Sequence, residues 1–219
     1  MLVIIFLLGR PSSGKSTVAS LIQMLAHDHH CFFHFTNDYD HLQRMFLREE
    51  AGCTSLDDRD FLRRESESCN GFDVKNFTVL DIVLKEMKKE VEDVKNTCPQ
   101  NEITICIVEF ARANYQHAIE LFGKELLAEA LLLYMNVDID TCIERNHKRT
   151  DHFISDEIMT TYYHYDDWAR KMYNLQDSHD KSEIRNTGTL DDLKRKVEEW
   201  FEVHLEDKVP VHVAFSNMV

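Results

Sequence analysis

The chain has 219 residues, enough for one core with an appendage and long enough to need no disulfide or metal staple. Its 39 acidic against 25 basic side chains leave a formal charge of −14, which disfavours general nucleic-acid binding and an anionic membrane surface as partners. The six cysteines, at 31, 53, 69, 98, 106 and 142, form no C-x-x-C pair, a usage that fits reduced thiols in a cytoplasmic protein better than a disulfide frame or a zinc site.

Leu2 to Leu8 is the one long apolar run. It lacks a basic flank and a small-residue cleavage site and is far short of the roughly 18 apolar residues of a membrane span. Rich in β-branched residues, unalternating and closed by Gly9, it predicts a central parallel strand covered on both faces. Val18, Leu21, Ile22 and Leu25 then recur at helical spacing and predict an amphipathic helix over 15–27. Residues 31–35 predict a second strand, ending in Thr36-Asn37-Asp38. Leu42, Met45 and Phe46 mark a helix, and the charged stretch that follows, to about residue 70, has no clear period.

Phe77, Leu80, Leu84, Met87, Val91 and Val94 form an apolar stripe on a long helix that Cys98-Pro99 stops. A third strand is expected over 103–108, a helix over 115–130, a fourth strand over 131–137 and a weak fifth around Ile184. A C-terminal helix opens at Thr189, whose hydroxyl and Asp192 make a capping-box-like pair, with Leu190, Leu193, Val197, Trp200 and Phe201 inward. Strands alternating with helices imply an α/β fold, a mostly parallel sheet sandwiched by helices.

Directly after the first strand, Gly9-Arg10-Pro11-Ser12-Ser13-Gly14-Lys15-Ser16-Thr17 satisfies G-x-x-x-x-G-K-[ST] at every defined position. Such a loop turns its backbone N–H groups around a phosphate while the next helix points its positive end at the same anion. Lys15 then reaches the β- and γ-phosphates, and the Ser16 hydroxyl is placed to ligate Mg²⁺. Arg10 reads as loop surface. The N-K-x-D and D-x-x-G signatures of guanine-nucleotide switches are absent.

From this loop onward most of the chain resembles the small P-loop kinases, the superfamily of nucleoside, nucleotide, shikimate, gluconate and adenylylsulfate kinases. The resemblance implies a P-loop three-layer sandwich with a five-stranded sheet and a helical lid. It implies one domain over 1–219, with an acceptor-binding insertion at about 39–75 and a lid at about 145–160. Asp38, just past the second strand, is similar to the acidic residue that orients or deprotonates the attacking hydroxyl. Asp40 is the runner-up. Glu109, ending the third strand in Val108-Glu109-Phe110-Ala111-Arg112, looks like the carboxylate that holds Mg²⁺, with Arg112 placed to grip the acceptor. Arg145 and Arg149 resemble the lid arginines that clamp phosphates and close over the transferring group. Asn186-Thr187-Gly188 is similar to the loop that contacts the adenine edge.

The expected activity is therefore ATP- and Mg²⁺-dependent transfer of the γ-phosphate to a small-molecule hydroxyl, on a nucleoside-like or other metabolite. A nucleotide kinase, for which Arg59, Arg63 and Arg64 could supply phosphate contacts, and a noncatalytic nucleotide-binding regulator are the alternatives. A polynucleotide kinase fits the charge of −14 poorly. His27, His29 and His30 read as solvated, and Tyr162, Tyr163 and Tyr165 as packing.

Overall fold

The structure is a computed structural model and describes residues 1–52, 59–66, 69–99, 101–149, 153–168, 180–205 and 207–208. Its centre is a sheet of β1 (Leu2–Gly9), β2 (Phe32–Asn37), β5 (Thr104–Phe110), β6 (Ala130–Asn136) and β7 (Asp180–Arg185). The strand order is β2-β5-β1-β6-β7, and every neighbouring pair is parallel. An antiparallel hairpin, β3 (Phe61–Ser66) and β4 (Cys69–Val74), lies in the stretch that carries no clear sequence period.

The unbroken apolar character of β1 follows from its place between two layers. Ile4, Phe6 and Leu8 pack with α2 (Asp38–Ala51), α3 (Thr78–Thr97) and α4 (Tyr115–Glu120). Val3, Ile5 and Leu7 pack with α1 (Lys15–Asp28) and α8 (Leu190–Leu205) on the other face. Alternate side chains leave opposite faces of a strand, so a strand covered twice has no polar position to spare. The result is a three-layer sandwich of helices around a parallel sheet.

Several expectations are corrected. The helix expected over 115–130 is two, α4 and α5 (Lys124–Leu127), because Gly123 between them takes φ +82°, and Ala130 already belongs to β6. Leu190 is exposed at the first turn of α8. Thr189 does cap that helix, accepting from the Asp192 N–H at 3.2 Å. The Asp192 carboxylate turns instead to Arg195 and Lys196, at 2.9 and 2.6 Å. Phe77 stands just before α3 and stacks on Tyr162, ring centroids 4.4 Å apart, rather than joining the core stripe. Arg10 is tethered, with an ion pair to Asp166 at 3.1 Å and bonds to the Tyr163 and Val137 carbonyls at 3.0 and 3.2 Å.

Cys31, Cys98, Cys106 and Cys142 are thiols. Cys53 and the Cys69 side chain lie outside the described residues. No group of described residues could hold a metal through three or more His, Cys, Asp or Glu; of the histidines around Asp28, His27 lies 3.7 Å from the Asp28 carboxylate and His29 packs its ring against Phe201, centroids 5.4 Å apart. Among the described residues no helix is long and apolar enough to cross a membrane.

The lid is built by α6 (Ile139–His147) and α7 (Asp156–Thr161). Asp138 caps α6 by accepting from the Thr141 N–H at 2.7 Å, and Ser155 caps α7. The two helices share an apolar cluster of Val137, Cys142, Met159 and Tyr163 with Ile143 and Ile158 against it. Asn146, fully buried, binds the Ile154 backbone at both ends, donating to its carbonyl at 2.6 Å and accepting from its N–H at 3.1 Å.

Candidate active site

Parallel strands bring their carboxyl ends to one edge of the sheet, and ligands collect there. Asn37 lies level with Glu109, and Gly9 with Met135, so four neighbouring strands, β2, β5, β1 and β6, end along one edge of the sheet. The loop from Gly9 to Gly14 needs backbone freedom at both ends: φ is +144° at Gly9 and +96° at Gly14. A Cβ on Gly9 would come within 2.9 Å of the Met135 Cβ, and one on Gly14 would collide with the Asn186 amide. Ser12 also takes a left-handed φ of +62°. The Gly9 N–H is held by the buried Tyr115 hydroxyl oxygen at 2.9 Å, which ties the loop to α4.

Lys15 is buried, its Nζ donating to the Gly9 and Arg10 carbonyls at 3.0 Å each and lying 4.0 Å from Glu109 Oε1. Burial holds its pKa below the ordinary lysine range, while Glu109 and Asp38 pull it upward. Burial raises Glu109 above the ordinary carboxylate range, opposed by Lys15. Ser16 Oγ donates to Glu109 Oε1 at 3.3 Å. Among the described residues the buried Ser12 Oγ, Ser13 Oγ and Glu109 Oε2 have no partner. Orphaned buried polar atoms are costly, and here they sit where phosphate oxygens and a cation would satisfy them. The donor set therefore fits a nucleotide phosphate and Mg²⁺.

Asp38 is the first residue of α2, and Asn37 caps that helix by accepting from the Asp40 N–H at 2.8 Å. Capping is thus the work of Asn37, which releases the Asp38 carboxylate for another role. Its Oδ2 accepts from the Ala111 N–H at 3.0 Å and from Arg112 Nη1 at 2.6 Å. Arg112 is 3% exposed and also donates to the Ala111 and Leu80 carbonyls, at 2.6 and 3.0 Å. Its guanidinium lies behind Asp38 rather than among the residues lining the crevice.

The two lid arginines part company. Arg149 follows the end of α6 and lines the crevice. Arg145 donates from Nη2 to the Asn186 carbonyl at 2.9 Å. Asn186 in turn donates to the Ser13 carbonyl at 2.9 Å, joining the P-loop to the segment after β7, where Thr187 and Gly188 are exposed. An i and i+4 spacing puts two side chains on one helical face only where the helix runs through both positions. Because α6 stops at His147, Arg149 lies beyond the helix and lines the crevice, while Arg145 on the helix turns to Asn186.

Beside the P-loop lies a cavity of about 190 Å³, lined by Lys15, Asp38 and Glu109, by α2, by the β4 strand and by the lid. Its ring walls include Tyr39, Phe72, Phe77 and Phe153. Phe72 anchors the hairpin by stacking on Phe46 with centroids 4.8 Å apart. Sequence reasoning missed Phe72, Asp73, Phe153 and Ile154 as cavity residues, since none repeats with a helical or strand period. Tyr163, read as packing, is buried and lines the cavity too.

No protein-family description and no curated protein matches the chain in sequence. Solved structures do match in fold. A sugar kinase from Janibacter sp. is 11% identical, covering 93% of this chain and 96% of its own, with a TM-score of 0.56. A gluconokinase from Sinorhizobium meliloti is 14% identical over 94% of each chain, with a TM-score of 0.51. A shikimate kinase from Acinetobacter baumannii, in complex with shikimate, is 12% identical over 95% of this chain and 96% of its own, also with a TM-score of 0.51. The chain therefore shares the overall fold of these three kinases.

Proposed function

We propose that this chain is an ATP- and Mg²⁺-dependent phosphotransferase that moves the γ-phosphate to the hydroxyl of a small molecule. The observation that carries the reading is a single cavity that the P-loop lysine and the α2 carboxylate both line, with the lid along its wall. In this reading Gly9, Ser12, Ser13, Gly14, Lys15, Ser16 and Thr17 cradle the triphosphate, and Asn186, Thr187 and Gly188 flank the adenine. Ser16 and Glu109 would hold Mg²⁺, which when bound would supply charge to offset that on the phosphate oxygens.

Both described bonds of Asp38 fall on Oδ2, so Oδ1 is left to take the hydrogen bond of the acceptor hydroxyl. As the acceptor oxygen forms its bond to the γ-phosphorus and the bond to the β,γ-bridging oxygen breaks, the hydroxyl proton passes to Asp38 and ADP leaves. Arg112 fixes the carboxylate from behind. Arg149 neutralises charge on the transferring group, and the lid excludes water that would otherwise accept the phosphate. Arg145 acts on the adenine side through Asn186.

A nucleotide acceptor is less well supported. Arg59 and Arg63 both pair with Glu50, at 2.6 and 2.8 Å, and neither lines the cavity. The Arg64 side chain lies outside the described residues. The domain division stays as proposed from sequence, an acceptor segment at about 39–75 and a lid at about 145–160 on one domain. The test is transfer from γ-labelled ATP to a panel of nucleosides, nucleotides, sugars and small alcohols, with ATP hydrolysis followed in parallel. Phosphorylation of a hydroxyl acceptor is expected. Nucleotide binding with no transfer to any acceptor would favour a noncatalytic regulator.

A further inference from the structure

We infer that Arg10 is a positioning residue that couples the lid to the P-loop: through it, the segment that leaves α7 sets the backbone carbonyl on which Lys15 rests, so that nucleotide at the P-loop and order in the lid favour one another. This rests on the kinase reading above and concerns the regulation of that same site.

The Arg10 side chain is 16% exposed and turns towards two segments far along the chain. Its Nε donates to the Tyr163 carbonyl at 3.0 Å, Nη1 to the Val137 carbonyl at 3.2 Å and Nη2 to the His164 carbonyl at 3.4 Å. Nη2 also pairs at 3.1 Å with Asp166 Oδ2, on a carboxylate 6% exposed that accepts from the Tyr134 hydroxyl at 2.7 Å as well. Tyr163 and His164 come directly after α7, where no further helical turn supplies N–H groups to their carbonyls. The planar guanidinium serves all of these acceptors at once, which the single nitrogen of a lysine could not.

The same residue carries Lys15 on its backbone. The Arg10 carbonyl accepts from Lys15 Nζ at 3.0 Å and from the Ser13 N–H at 3.2 Å. A second tie runs beside it: the Tyr115 hydroxyl that holds the Gly9 N–H at 2.9 Å belongs to a residue whose own N–H donates to Asp167 Oδ1 at 2.5 Å. Consecutive P-loop residues, Gly9 and Arg10, are thus fastened to consecutive residues behind the lid, Asp167 and Asp166. Trp168 closes the joint by stacking on Tyr134 with centroids 4.7 Å apart. At the lid end, Tyr163 belongs to the apolar cluster that packs α6 on α7, and it lines the cavity. A shift of the lid that displaces Tyr163 displaces the carbonyl on Arg10 Nε, and a rearrangement of Arg10 carries with it the carbonyl under Lys15. The link works in both directions, because a coupling free energy between two sites is reciprocal.

Hydrogen exchange over residues 156–168, read by mass spectrometry on the full chain, tests this with Mg²⁺ and the non-hydrolysable analogue adenylyl imidodiphosphate. The analogue is used at a concentration that calorimetry shows to saturate each variant. In the wild type it should slow exchange across 156–168 by at least about fivefold, the low end of coupling between two sites. Arg10→Met should bind the analogue and lose that slowing. A merely structural role would instead speed exchange with and without the analogue alike and keep the ratio between the two. Arg10→Lys, which can keep Asp166 but not all three carbonyls, should recover part of the ratio. Should melting curves show that Arg10→Met does not fold, Asp166→Asn removes the ion pair alone and should lower the ratio. An unchanged ratio in these folded variants, or a wild-type lid indifferent to the bound analogue, would overturn the coupling alone. Failure of the analogue to bind the wild type would overturn the kinase reading and the coupling with it.

Discussion

Replacing Arg112 with Met keeps most of the side-chain volume and removes the guanidinium from behind Asp38. Three donated bonds disappear: to Asp38 Oδ2 at 2.6 Å, to the Ala111 carbonyl at 2.6 Å and to the Leu80 carbonyl at 3.0 Å. Breaking a buried ion pair from one side costs about 3–5 kcal/mol, because the surviving charge is left without compensation. Asp38 keeps the Ala111 N–H and 15% of its side-chain exposure, which puts the cost near the lower end, about 3 kcal/mol. For a chain of this length that lowers the melting temperature by roughly 6–12 °C while leaving a folded protein. Removing both partners in Arg112→Met/Asp38→Asn should cost less than the sum of the single changes, and urea denaturation of the double-mutant cycle measures the difference. Kinetics then separate two roles. A residue that positions Asp38 lowers kcat with the acceptor KM unchanged, whereas one that grips the acceptor directly raises KM. Arg112→Lys should restore charge without the planar fork and recover only part of the rate. A stability loss below about 1 kcal/mol, or a raised KM at full kcat, would refute the positioning argument.

Other substitutions probe the remaining parts of the site. Lys15→Ala should abolish transfer and weaken ATP binding in calorimetry; wild-type turnover would remove the P-loop from the chemistry. Asp38→Asn should keep ATP affinity and lower transfer to a hydroxyl by about 10²-fold or more in an initial-rate assay, the usual scale for a positioned base. Arg149→Ala should reduce the rate at saturating ATP, whereas Arg145→Ala, which frees the Asn186 carbonyl, should mainly raise the ATP Kd; identical effects of the two would contradict their separation. Glu90 offers a pH test away from the site. Burial would raise its pKa, but bonds from Thr36 and His41 and the nearby His34 and His41 outweigh it and hold the carboxyl below its ordinary 4.5. Its contribution to stability is therefore present above pH 4.5 and lost as the pH falls through the lowered value, so acid melting curves of Glu90→Gln should lack part of the wild-type slope.

The P-loop half of this protein was legible in the chain because its signals are local. An apolar strand, a glycine loop and an amphipathic helix must follow one another for a phosphate to be cradled, so Gly9 to Thr17 reads directly, as do the strand ends carrying Asp38 and Glu109. The doubly covered sheet was legible too, since β1 has no polar face to offer water. Periodicity failed where short-range geometry intervened: Gly123 broke one expected helix, and the β3–β4 hairpin is short and charged, with no repeat long enough to read. What tertiary structure alone decided is which side chains meet. Arg112 turns behind Asp38 because α2 packs against the end of β5, a contact across 74 positions of sequence. Arg145 and Arg149 separate because α6 stops before the second of them. Asp73 reaches the cavity because Phe72, its neighbour on β4, anchors the hairpin on the α2 aromatics. A P-loop is built from backbone that one continuous segment can supply, whereas the cavity beside it is enclosed by side chains from separate elements, and only the packed fold brings them to one place.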